Sequence, residues 1–327
     1  MTYDLEKRLV IGLASSALYD LSEADKVFES EGEVGYREYQ RQHQLTILSE
    51  GVAFSFIKRL LAINEIRPRD PLIEVVLLSR NDPETGLRVM NSIKHHGLDI
   101  SRAAFLQGRD PYKYIPALSI CLFLSANQLN VRQAVCAGYP AGQVLPTASN
   151  DITDDQELRI AFDFDGVLAD DESESVYQIN KSVSEFHQHE HARRDVPHNS
   201  GPLKNFLAKL SDIQALEQEH AKINASYEPR IRISIVTARS APSHERVINT
   251  MRSWGITVNE AFFLGGVDKS KVLSVLNPHM FFDDQRGHLL STAALLPSVH
   301  VPFGVTNNDA GAPDSSQQMP TNGVIGS

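Results

Sequence analysis

The segment Ala161-Phe162-Asp163-Phe164-Asp165-Gly166-Val167-Leu168 decides the fold. Four of the five residues at 158–162 are apolar (Leu158, Ile160, Ala161 and Phe162), the pattern of a buried strand. Two carboxylates follow, one residue apart, and then a glycine. Ligands of open α/β sheets bind outside the carboxyl ends of the strands, so both acids stand where chemistry is done. Asp163 is placed to enter a crevice as a nucleophile. Asp165, beyond a turn at Phe164, can return over the same point as a proton donor, and Gly166 lets that turn be tight. Buried, unpaired carboxylates are costly, which makes a divalent cation the natural neutraliser. The plainer alternative is a strand end and a helix cap.

Working outward, the chain repeats itself. VVLLSRNDPETGLRVMNSIKHHG near Val75 resembles ISIVTARSAPSHERVINTMRSWG near Ile233. At a constant offset of 158, Arg88 falls on Arg246, Val89 on Val247, Asn91 on Asn249, Gly97 on Gly255 and Phe123 on Phe281. VIGLASS at 10–16 likewise falls on RIAFDFD at 159–165. Each copy reads as a strand, a long polar insertion, and then strands alternating with helices, which implies parallel βαβ units. The expected fold is therefore α/β, with two related Rossmann-like lobes of parallel sheet that pack on each other. The second lobe carries a helical cap insertion at about 170–230. The boundaries are a first lobe at 1–146, a polar linker at 147–157 and a second lobe at 158–304. The tail at 305–327, rich in Gly, Pro, Ser and Asn, is expected to be disordered.

The two copies differ where charge matters. Ala14 stands against Asp163, Ser16 against Asp165, Ser79 against Thr237, Pro111 against Lys269, Ser125 against Asp283 and Ala126 against Asp284. One lobe keeps the scaffold without the acids, and the other keeps both. In the second lobe the strand ends supply a nucleophile, an acid/base, a hydroxyl, a cation and a metal-binding acid, the set that phosphoryl transfer through an aspartyl-phosphate requires.

The order DxDGV, T, K and DD resembles the haloacid dehalogenase superfamily of phosphohydrolases. The strings AFDFDGVLADDESE, GPLKNFL, VTARSA, MRSWG, FLGGVDK, PHMFFDDQ and VPFGV resemble the cytosolic 5′-nucleotidase I family, and the similarity covers nearly all of residues 5–305. The chain departs from that family's pattern at Phe164 and Gly166, leaving the acids unchanged. The resemblance implies a 5′-nucleotidase that prefers AMP among nucleoside monophosphates. It implies attack by Asp163, and acid and then base catalysis by Asp165. It also implies Mg²⁺ held by Asp163, the backbone carbonyl of Asp165 and Asp284, with Asp283 as second choice for the metal. Thr237 and the N–H of Ala238 would hold phosphate oxygens, and Lys269 would neutralise charge; Lys271 is its nearby alternative. Arg239 is a phosphate-binding candidate or one half of a surface ion pair.

Phe186 and Tyr177 in the insertion are candidates to stack on a base, against core packing. His187, His189 and His191 read as solvated, since i and i+2 positions do not share a helix face. In the first lobe, Arg80 and Asn81 beside Ser15, Ser16 and Ser79 are candidates for a nucleotide pocket, as substrate wall or effector site. The plainer role of that lobe is structural, burying apolar surface of the second lobe.

Composition limits the rest. The net charge of −10 argues against nonspecific binding to nucleic acid or an anionic membrane. The first residues lack the pattern of a signal peptide, the apolar run near Ile115–Ala126 is too short to span a bilayer, and two cysteines, Cys121 and Cys136, match neither a disulfide framework nor zinc spacing. A cytoplasmic home follows as the simplest expectation. The expected partners are a nucleoside monophosphate, a nucleotide effector and a second copy of the chain. The rival readings are a phosphatase for another small phosphate ester and a nucleotide-binding regulator without turnover.

Overall fold

Parallel strands covered on both faces are apolar along their length, and the segment Leu9–Leu13 is, with all five residues buried. The computed structural model describes residues 3–147 and 155–310. The first half contains β1 (Leu9–Leu13), α1 (Ser15–Leu18), α2 (Ser22–Gln42), α3 (Phe54–Ala62), β2 (Ile73–Ser79), α4 (Leu87–His95), β3 (Arg102–Phe105), β4 (Leu122–Ser125), α5 (Gln128–Cys136) and β5 (Ala141–Val144). The second contains β6 (Leu158–Phe162), α6 (Glu172–Asn180), α7 (Val183–Ala192), α8 (Lys204–Ile223), β7 (Ile231–Thr237), α9 (His244–Ser253), β8 (Glu260–Phe263), α10 (Lys269–Leu276), β9 (Met280–Asp283), α11 (Arg286–Thr292) and β10 (Ser298–His300).

All ten strands form one sheet, ordered β3-β2-β1-β4-β5-β10-β9-β6-β7-β8. Each half contributes five mutually parallel strands in the same internal order. The halves meet where β5 and β10 pair antiparallel, Val144 opposite Val299 and Gln143 opposite His300. Two lobes that pack on each other are expected from the sequence; in the structure the two halves join edge to edge in one ten-stranded sheet. Each half ends in an edge strand with unpaired N–H and C=O groups, and joining the two edges satisfies both. One consequence governs function: the strands of the halves run in opposite directions, so their carboxyl ends emerge at opposite edges.

Side chains alternate across the sheet as the pleat requires. Leu9, Ile11 and Leu13 of β1 share one core with Ile160 and Phe162 of β6, and that core runs beneath both halves. The other face is divided. Val10, Val76 and Phe123 pack in one cluster, and Ala161, Val236 and Phe281 in another.

The repeat is visible in backbone bonds. Ala14 N–H donates to Leu124 O at 2.8 Å, and Asp163 N–H to Phe282 O at 2.8 Å. Arg88 Nε donates to Thr46 O, and Arg246 Nε to Val196 O, both at 2.9 Å. Gly51 N–H reaches Leu18 O, and Gly201 N–H reaches Leu168 O, both at 2.8 Å. A Cβ on Gly201 would lie 2.3 Å from Ala169 O, and on Gly51 2.8 Å from the Leu18 carbonyl carbon. Only glycine permits so close a backbone approach. These pairs extend the repeat into the insertions, at an offset of 150.

The insertion differs from the expected cap over 170–230. Phe206, Leu207, Leu210 and Ile213 of α8 are buried in the shared core with Phe162 and Phe282. Thus α8 is a sheet-covering helix, while Glu190 of α7 reaches Arg239 beyond β7. The tail expectation also changes at its start, because Val305–Ala310 forms a 3-10 helix. The expected disorder of 311–327 and most of the linker at 147–157 lie outside the described residues. Among the described residues no helix is long and apolar enough to cross a membrane.

Candidate active site

The carboxyl ends of β6, β7 and β9, with the start of α10, bring the acids of the second half together. At the end of β6, Asp163 is buried. Its Oδ1 accepts the N–H of Phe164 at 2.7 Å, and its Oδ2 lies 2.8 Å from Lys269 Nζ. Burial pushes the Asp163 carboxyl up to about 6, with Lys269 opposing and Asp283 and Asp165 adding to the rise. Lys269 opens α10, just beyond Asp268, whose carboxylate accepts the N–H of Ser270 at 2.9 Å. Its ammonium also bonds Asp283 Oδ2 at 2.7 Å. Burial alone would lower the lysine, but Asp163 and Asp283 outweigh it and raise it. Lys271 is exposed, which settles which lysine enters the site.

The two adjacent acids at the end of β9 have different surroundings. Asp283 accepts the N–H of Gln285 at 2.7 Å and faces His288 Nδ1 at 3.2 Å. Despite its burial, Lys269 and His288 hold it below the usual carboxylate range. Asp284 points to the other side. Its Oδ2 accepts the hydroxyl of Thr306 at 2.9 Å, and its Oδ1 is buried with no hydrogen-bond partner. Burial, then Asp163 and Asp283, push Asp284 well above its ordinary value. It lies against the DxDG turn: a Cβ on Gly166, whose φ is +69°, would come 2.7 Å from Asp284 Cγ. An orphaned carboxylate oxygen beside a second buried acid suits a hard divalent cation. The three groups whose ligand atoms lie mutually within 4.8 Å are Asp163, Asp283 and His288. Lys269 already bonds both of those acids, and Asp284 is not part of that group. The side chain of Asp165 is not among these ligands.

Asp165 is instead clamped. Arg239 Nε and Nη2 donate to its two oxygens at 2.7 and 2.6 Å. The same guanidinium bonds Glu190 through Nη1 and lies over the Phe186 ring, 5.3 Å from its centroid. Arg239 is therefore a buried ion-pair partner rather than an open phosphate ligand, and Phe186 covers it. Tyr177 packs edge-on against Phe186 at 6.4 Å. Thr237, at the end of β7, is buried and accepts Arg239 N–H at 3.3 Å, leaving its own hydroxyl proton to donate. Ala238 is exposed beside it.

His187 faces Ser240 and His189 faces Glu190, while His191 is exposed, so the three share no centre. Asp170, Glu172 and His198 also converge. Glu172 there is already paired with Arg246 at 3.0 Å and with Arg193.

Residues that sequence reasoning passed over are Glu190, His198, His288 and Thr306. Glu190 sits within the His-rich string that drew attention only for its histidines. Set at the offset of 150, it falls on Gln40, an acid-to-neutral difference like the others.

Arg80 and Asn81 come together at the opposite edge of the sheet, so they form no wall of the Asp163 site. Arg80 donates to Gly108 O and Asn130 Oδ1, and Asn81 accepts Tyr36 OH. A cavity of about 740 Å³ near that edge is lined by Asp20, Asp25 and Glu50, and among the described residues by no lysine or arginine. Its charge does not suit a phosphate.

The sequence model of one family, described as 5′-nucleotidase, matches residues 1–308. The chain belongs to the 5′-nucleotidase family. It is similar to cytosolic 5′-nucleotidase 1B of Homo sapiens, at 37% identity over 288 residues, which is 86% of this chain and 46% of that protein. The chain thus spans about half the length of that curated relative. No solved structure gives a significant match.

Proposed function

We propose that this protein hydrolyses nucleoside 5′-monophosphates, AMP among them, to nucleoside and phosphate through a phosphoaspartate on Asp163. The observation that supports this most is Asp163 at the end of β6, with Lys269 at 2.8 Å and the acid two residues on clamped by Arg239. Asp163 attacks phosphorus as the bond to the 5′-oxygen breaks, and Asp165 gives that oxygen a proton. Asp165 then takes a proton from the water that cleaves the phosphoaspartate. Thr237 and the N–H of Ala238 hold phosphate oxygens, while Lys269 stabilises charge on the phosphate and Asp163. Asp163, the carbonyl of Asp165 and Asp284 would hold Mg²⁺, which supplies charge neutralisation. Asp283 orients Lys269. Phe186 and α7 close the site against water. The free thiols, Cys121 buried and Cys136 exposed, fit a cytoplasmic home.

The test measures phosphate release from AMP with Mg²⁺ and traps ³²P on the enzyme from labelled substrate. The wild type should release phosphate and carry label, and Asp163→Asn should do neither. Undiminished turnover by Asp163→Asn sinks the assignment.

A further inference from the structure

Glu190, on the cap helix α7, has no exposed surface. Its carboxylate accepts Arg246 Nη1 at 2.9 Å, Ser173 Oγ at 2.7 Å and Arg239 Nη1. Arg239 turns its other two nitrogens to Asp165, at 2.7 and 2.6 Å. A guanidinium is planar and rigid. Fixing Nη1 on Glu190 therefore fixes the direction in which Nε and Nη2 present themselves, and so the plane of the Asp165 carboxylate.

The chain holds its own control. In the first half Arg88 keeps the place of Arg246 and makes the same bond to the insertion, through Thr46 O at 2.9 Å. The Glu190 position is Gln40, also buried, and the Arg239 position is Asn81. The half that lacks the nucleophile thus packs its insertion with the structural arginine and a neutral pair. The charged pair is present only with the acids, so holding the insertion to the sheet does not explain it.

We propose that Glu190 is a positioning residue for the hydrolysis. Through Arg239 it aims the carboxyl of Asp165 at the leaving oxygen, and it ties that aim to the seating of α7. This rests on the phosphohydrolase reading given above. In the step concerned, the bond from phosphorus to Asp163 forms, the bond to the 5′-oxygen breaks, and the proton passes from Asp165 to that oxygen. An alkoxide leaving group needs that proton, whereas p-nitrophenolate leaves without it.

The experiment compares kcat/KM for AMP and for p-nitrophenyl phosphate in wild type, Glu190→Gln and the double variant Glu190→Gln/Arg239→Asn, with melting curves alongside. The double variant copies the pair Gln40 and Asn81 that the same fold already accommodates, so it guards against a buried, unpaired arginine. The expected result is a loss of about 10²-fold on AMP and under about threefold on p-nitrophenyl phosphate. Equal losses on both esters, or no loss on AMP, overturn the positioning role. A wild type inactive on both esters instead overturns the phosphohydrolase reading itself.

Discussion

Lys269 Nζ stands 2.8 Å from Asp163 Oδ2 and 2.7 Å from Asp283 Oδ2, one buried ammonium between two carboxylates. This triad carries a net negative charge before any phosphate arrives. Replacing the lysine leaves two buried acids facing each other. Lys269→Gln should abolish phosphate release from AMP, a loss of 10²-fold or more on the order of a lost charge stabiliser. It should also cost about 3–5 kcal/mol in urea unfolding, as breaking a buried pair does. Activity within tenfold of wild type (about 1.4 kcal/mol) would show the ammonium to be structural only.

Among the described residues, Asp284 is the buried acid of the site that no lysine or arginine pairs. Its Oδ1 has no partner, and burial with two neighbouring acids raises it well above its ordinary value. Ionising Asp284 therefore costs the fold stability where no cation neutralises it. Asp284→Asn should raise the melting temperature in EDTA and abolish the further rise that Mg²⁺ gives the wild type, while activity is lost. Thr306→Val, which removes the 2.9 Å hydrogen bond to Oδ2, should weaken the Mg²⁺ response without eliminating it. An unchanged Mg²⁺ increment in Asp284→Asn would place the ion elsewhere.

Glu190 works in the opposite sense. Burial disfavours its charge, yet hydrogen bonds from His198, Arg239 and Ser173 hold it far below the ordinary glutamate range. A carboxylate depressed in the folded state contributes stability that is present above its unfolded value and is lost as pH falls. The stability gap between wild type and Glu190→Gln should therefore be widest above pH 4.5 and close progressively below it. Urea titrations at pH 3.5, 5 and 7 (chosen about the ordinary glutamate range) read this directly. A gap independent of pH would mean that Glu190 acts by shape alone.

Gly201 passes against the backbone of Ala169, with room for hydrogen only. Gly201→Ala should destabilise the fold by about 1–3 kcal/mol or more, as overpacking does. Gly287→Ala, where an added Cβ meets nothing within 4 Å, should be near neutral. Equal melting temperatures for the two would remove the close-approach account.

Much of the site was legible because a parallel sheet converts linear order into position. Residues at successive strand ends must meet at one edge, so Asp163, Thr237, Lys269, Asp283 and Asp284 could be named from spacing and from the neutral residues opposite them in the repeat. Glu190 and Arg246 were not legible as a unit. They come from a cap helix and a sheet helix, and their meeting depends on how the insertion folds back. For the same reason α8 read as cap: its apolar spacing shows that it has a buried face, not which surface buries it.

By itself the amino-acid sequence determined the α/β class, the duplication and which acids stand at the strand ends, because apolar runs, offsets and strand-end residues are local or periodic facts. Tertiary structure decided that the halves share one sheet through β5 and β10. It also decided that their two strand-end edges face opposite ways, and that Arg239 clamps Asp165 under Glu190. These depend on edge pairing and on burial of charge between distant segments, and no local stretch of chain encodes which distant partner will satisfy it.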